Sequence, residues 1–135
     1  LNRVFVDTSF IVALVNEKDQ HHARASVLSE TFDGQPLLVT DAVLLEVGNA
    51  LARTFKEQAA EIIGDFLTSD EVEVVNLDAA LFQKALELYR THTDKACGMT
   101  DCVSFVVMRE RGVMDALTYD NDFHQAGFNP LMRDS

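Results

Sequence analysis

At 135 residues the chain is sized for a single domain, 1–135, and its 47% hydrophobic and 24% charged residues suit a packed globular core. A net charge of −11 excludes the broad basic face with which most nucleic-acid binders hold their ligand. No apolar stretch reaches the roughly 18 residues of a membrane span, and the N-terminus lacks the basic-then-apolar pattern of a secretory signal.

In chain order, Arg3–Asp7 (RVFVD) is a short β-rich run. The apolar segment Ser9–Val15 follows at once as a helix, with Thr8 or Ser9 as its N-cap. Lys18–Phe32 reads as a polar, part-exposed helix with Asp19 near its start, ended by Asp33-Gly34 and Pro36. Leu37–Thr40 is a second buried strand, after which Asp41 caps a long helix running to Thr54. Gln58–Leu67 is a further helix, with Ile62, Ile63, Phe66 and Leu67 on its apolar side. Val72–Leu77 is a third strand. Asp78 then caps the helix Ala79–His92, whose Leu81, Ala85, Leu88 and Tyr89 share one face. The loop Thr93–Met99 leads into the helix Thr100–Arg111, stopped by Gly112. Ala116–Tyr119 is a fourth strand, and Phe128–Leu131 a short one that Pro130 confines to an edge. Strands alternating with helices predict the α/β class, a three-layer α/β/α arrangement around a central, mostly parallel sheet of four to five strands. Cys97 and Cys102, the only cysteines, make neither a disulfide framework nor a strong zinc pattern. They read as reduced, buried small hydrophobes, so the expected compartment is the cytoplasm.

Isolated acids in apolar surroundings are the main chemical signal. They lie in VFVDTSF (Asp7), LLVTDAVLLEVGNALAR (Glu46), GMTDCVSFVVMRERG (Asp101) and ALTYDNDF (Asp120 or Asp122). An ionised acid there is costly unless it is paired or bound to a cation. In open α/β sheets, sites lie beyond the C-terminal ends of the strands. Asp7 and Asp120 follow strands, and Glu46 is in the second turn of the helix leaving strand two. Asp101 reaches the same edge if the Thr93–Met99 loop starts its helix there. Two carboxylates about 4 Å apart repel by roughly 4 kcal/mol at an effective dielectric near 20. Converging acids therefore call for a cation, and oxygen-only ligands favour Mg²⁺ or Mn²⁺. Such an ion lowers the pKa of a bound water and offsets charge on a phosphoryl group in transfer. It would also reverse the sign of the acidic surface at one spot; alternatively, that surface serves a basic protein partner.

Other residues are weighed by position. Glu46, Asn49 and Arg53 share a helix stripe that reads as a cleft wall, with Arg53 as a phosphate contact. Lys95, in the loop before Asp101, is an RNA-contact candidate, and Ser104, one turn on, could support Asp101. Asp41, Asp70, Glu71 and Asp78 read as caps and solvated turns. Neighbours on a helix point about 100° apart, so the His21-His22 pair reads as solvated surface, as does His124.

Together, VFVDTSFIVAL, TDAVLLEVGNAL, GMTDCVSFVVMRERG and ALTYDNDFHQAGF resemble the PIN domain, and more narrowly the VapC-type ribonucleases of toxin–antitoxin pairs. The resemblance runs over essentially the whole chain. It implies a metal-dependent endoribonuclease in which Asp7, Glu46, Asp101 and Asp120 hold one or two Mg²⁺ or Mn²⁺ ions. Asp122 is the second choice for the fourth acid. It also implies that Thr8 and Ser9 steady Asp7, and that RNA is cut to leave a 3′-hydroxyl and a 5′-phosphate. The implied partners are the RNA substrate and an antitoxin with a basic segment. A homodimer is expected too, with Ser9–Val15 and Gln58–Leu67 as candidate faces. The alternative is a catalytically silent PIN-like scaffold that binds RNA or protein. A phosphorelay receiver is excluded because strand three ends Val75-Asn76-Leu77 without an Asp, and an aspartyl-phosphate phosphatase because Asp7-Thr8-Ser9 lacks D-x-D.

Overall fold

The computed structural model describes residues 3–91 and 97–133. Its elements are β1 (Val4–Val6), α1 (Thr8–Val15), α2 (His22–Thr31), β2 (Leu37–Thr40), α3 (Asp41–Ala50) and α4 (Lys56–Thr68). They continue with β3 (Val72–Val75), α5 (Ala79–Thr91), α6 (Met99–Arg111), β4 (Asp115–Leu117), α7 (Asn121–Gln125) and β5 (Asn129–Pro130). The sheet has five strands in the order β3-β2-β1-β4-β5, and every pairing is parallel. This is the α/β sheet expected from the alternation of strands and helices.

Strand β1 is central and buried throughout. From it the chain moves outward to β2 and β3, and later returns to β4 on the other side. The C-terminal ends of β1 and β4 therefore flank the switch point, where an open α/β sheet leaves a crevice. Phe5, Val6, Leu38, Val39 and Leu117 supply fully buried strand side chains. Phe123 of α7 packs edge-on against Phe105 of α6, with ring centroids 4.9 Å apart, and pins the chain after β4 to the sheet. Gly112 ends α6 at φ +67°, a conformation that glycine adopts without strain.

Several local expectations are corrected. Asp7, not Thr8 or Ser9, is the N-cap residue of α1, and its carboxylate makes no capping bond. The cap of α3 is Thr40, whose hydroxyl accepts from the Val43 N–H at 3.1 Å. Asp41 instead accepts from the Leu77 N–H at 2.9 Å and from Asn76, tying α3 to the end of β3. Asp78 does cap α5, accepting from the Leu81 N–H at 2.8 Å. The helix expected to reach Thr54 stops at Ala50, because the chain turns over 51–54 to bury Leu51 before α4 begins. Leu67 and Tyr89, assigned to apolar faces, are exposed. The segment Lys18–Phe32 starts as a turn, with Asp19 accepting from the His21 N–H, and becomes helical only at His22. The fourth strand ends at Leu117, two residues early, and the short helix α7, not among the expected elements, follows it. None of the described helices is long and apolar enough to cross a membrane.

Candidate metal centre

Asp7 leaves β1 with extended backbone, and its N–H donates to the Leu117 carbonyl across the β1–β4 seam at 3.1 Å. Its carboxylate has no capping duty and turns into the crevice, where it is 4% exposed. The Thr118 hydroxyl donates to Asp7 Oδ2 at 2.8 Å, and the Ser9 hydroxyl donates to the same oxygen at 3.2 Å. Ser9 thus steadies the first acid as expected. Thr8 does so only through its backbone N–H. Its buried Oγ1 has no hydrogen-bond partner and belongs to a residue lining the cavity.

Thr118 was not legible as a site residue. It is fully buried just past β4, and its oxygen also accepts from the Asp120 N–H at 3.0 Å. One hydroxyl thereby fixes both the Asp7 carboxylate and the backbone that carries Asp120. Asp120 is the N-cap of α7 and accepts from the Asp122 N–H at 2.8 Å. Asp122 lies in the first turn of that helix. One carboxylate oxygen each from Asp101, Asp120 and Asp122 lie within 4.8 Å of one another, so both candidates for the fourth acid stand beside Asp101.

Asp101 is in the first turn of α6, whose N-cap, Gly98, offers no side chain. A cavity of about 530 Å³ brings Asp101 together with Asp7, Glu46 and Asp120. Burial, then the charges of Asp7, Asp120, Glu46 and Asp122 in that order, push the Asp101 pKa up to about 8. Asp101 therefore feels all four of the other acids. Burial also raises Asp7 to about 6, against the lowering effect of the Thr118 hydroxyl and the Thr8 N–H.

The supporting residues divide. Ser104 is buried and donates to the Thr100 carbonyl, not to Asp101. Asn49 and Arg53 are exposed and do not line the cavity; α3 ends before Arg53, which breaks the expected stripe. Lys95 lies outside the described residues. His21, expected as solvated surface, lines the cavity and stacks on Tyr119 with ring centroids 3.6 Å apart. His22 bonds through Nδ1 to the Ala13 carbonyl at 2.8 Å.

An acid-lined crevice at the switch point of this sheet is the arrangement of a PIN-type nuclease. The PIN domain family model matches residues 4–129, and the chain belongs to that family. Within it the chain is a VapC-type homologue. It is 35% identical over 126 residues to the 23S rRNA-specific endonuclease VapC20 of Mycobacterium tuberculosis, covering 93% of this chain and 95% of that one. The crystal structure of Mycobacterium tuberculosis VapC20, described as a sarcin–ricin loop cleaving toxin, matches with a TM-score of 0.84 at 33% identity. The match covers 93% of this chain and 95% of that one. VapBC2 from Rickettsia felis, bound to a DNA fragment from its promoter, matches with a TM-score of 0.66 over 94% and 96% of the two chains. At 15% identity that likeness establishes the shared fold alone.

Proposed function

We propose that the chain is a Mg²⁺- or Mn²⁺-dependent endoribonuclease and the toxin of a toxin–antitoxin pair. The observation that carries this is the convergence of Asp101, Asp120 and Asp122 beside Asp7 and Glu46 in one crevice. The donors fit a hard divalent cation: all are carboxylates, their mutual repulsion is what a cation removes, and the unpartnered Thr8 hydroxyl adds an oxygen nearby. The silent-scaffold alternative is disfavoured, because a scaffold has no use for such a repulsive cluster.

We assign Asp101, Asp120 and Asp122 as the inner ligands, with Asp7 beside them and Glu46 on the outer wall. A bound divalent ion supplies a water of lowered pKa and counter-charge for the phosphoryl oxygens. Thr118 and Ser9 hold Asp7 in one orientation, so its lone pairs need no reordering when RNA arrives. Asp101 must give up its proton for the charged site to form. Glu46, exposed on α3 and lining the same crevice, would accept a hydrogen bond from a water held there. The sarcin–ricin loop named for the relative is the first RNA to offer. Cleavage is expected with Mg²⁺ or Mn²⁺ and not with EDTA, leaving a 3′-hydroxyl and a 5′-phosphate; cutting that continues in EDTA sinks the mechanism.

Two faces were expected for pairing, Ser9–Val15 and Gln58–Leu67, of which the second does expose Leu67; the fold offers a third. Helix α1 buries Phe10, Ile11 and Ala13 and is not free. Leu45 of α3 and Phe82 of α5 are exposed instead, around an apolar hollow of about 450 Å³ with Leu77, Met99 and Val103. We place the homodimer there. Light scattering should give twice 15.0 kDa, reduced to 15.0 kDa by Leu45→Arg; a wild-type mass of 15.0 kDa refutes it. An antitoxin with an Arg-rich segment suits the acidic crevice, since guanidinium groups match carboxylates that otherwise hold metal. In the same samples, inhibition by such a peptide should weaken as Mg²⁺ rises; inhibition indifferent to Mg²⁺ counts against it.

A further inference from the structure

A cationic and aromatic ledge borders the acid crevice. Tyr119 sits between Thr118 and Asp120, and its backbone is held on both sides: its N–H donates to Ser9 Oγ at 3.2 Å, and its carbonyl accepts from Arg133 at 3.2 Å. The residue is 38% exposed. His21 stacks on that ring, with planes 25° apart, and the Arg133 guanidinium lies 5.0 Å from the ring centroid. The His21 main chain is itself fixed, its backbone N–H donating to Asp19 Oδ1 at 2.8 Å. These groups are poised on rigid backbone, yet the histidine lines the crevice that the acids occupy.

Arg3, Lys84, Arg90 and Arg111 are spent on ion pairs with glutamates. Arg24 and Arg133 form no ion pair among the described residues. They donate to the neutral carbonyls of Leu131 and Tyr119, as Arg109 does to that of Ala126. In a chain of net charge −11 these are two guanidinium groups gathered at the segment 131–133. A polyanion that must present one phosphate to the acids needs cations for its neighbours and a flat surface for an unpaired base.

We infer that His21, seated on Tyr119, is the platform on which a nucleobase flanking the scissile phosphate stacks, while Arg133 and Arg24 take the adjoining phosphates. This rests on the nuclease reading and adds to it a positioning surface for single-stranded or looped RNA. Base–aromatic stacking tolerates any base, so the ledge sets affinity and register at the cut more than sequence.

The test is cleavage kinetics on a short looped RNA with Mn²⁺. His21→Ala should raise KM about tenfold and leave kcat within about threefold. His21→Phe, which keeps a flat ring, should restore KM. An abasic nucleotide at the stacked position should raise the wild-type KM by the same factor and add nothing in His21→Ala. Wild-type cleavage with an unchanged KM in His21→Ala overturns this inference alone, as does His21→Phe behaving no better than His21→Ala. A wild type that cuts no RNA overturns the nuclease reading and this inference with it.

Discussion

Asp101→Asn is expected to lower RNA cleavage at least about a hundredfold while the protein stays folded. The substitution keeps the shape and removes the charge at the point where burial and four other carboxylates converge. Asp7→Asn should do the same, and with less disturbance than its burial suggests, because the amide oxygen can still accept from Thr118 and Ser9. Asp120→Asn and Asp122→Asn should fall together, since both lie with Asp101 around one point. Rates measured with saturating Mn²⁺ separate lost affinity from lost chemistry. Wild-type cleavage by folded Asp101→Asn would remove the acids from the mechanism altogether.

The second large effect is on stability without metal. Asp101 and Asp7 have ordinary pKa values of 3.8, raised here to about 8 and about 6. An acid with a raised pKa in the folded state binds its proton more tightly there than in the unfolded chain. The stabilisation is complete below about pH 4 and is lost as pH rises through about 6 for Asp7 and about 8 for Asp101. Metal-free protein should therefore melt at progressively lower temperature from pH 4 to pH 9. Asp101→Asn should flatten that slope and raise the melting temperature at pH 9 by at least about 3 °C. Divalent metal should reverse the wild-type trend, because binding requires the charged forms. Identical melting curves for wild type and Asp101→Asn across this range in EDTA would contradict the convergence of charges.

Much of this was legible because acids in apolar surroundings stand out. Asp7, Glu46 and Asp101 could be picked from their contexts, and parallel-sheet logic predicted the edge they share. The remainder depended on tertiary packing. Thr118 reads as an ordinary β-branched strand residue, and only the β1–β4 pairing brings it to Asp7 from 111 positions away. Helix α7 has five residues, too few for a periodic signal, so TYDNDF looked like a turn offering either Asp120 or Asp122. His21 was assigned to a helix surface, but the chain turns before α2 and leaves it in the N-cap position, free to reach Tyr119. Arg53 was placed on the site wall by extending α3 one turn too far, an error of helix ends that periodicity cannot correct.

The most direct measurement is anomalous scattering from crystals of the wild-type protein grown with Mn²⁺. The account predicts a peak between the Asp101, Asp120 and Asp122 carboxylates, with oxygen distances of about 2.1 Å, and no such peak in Asp101→Asn. A wild-type crystal with Mn²⁺ bound elsewhere and none in this crevice would contradict it.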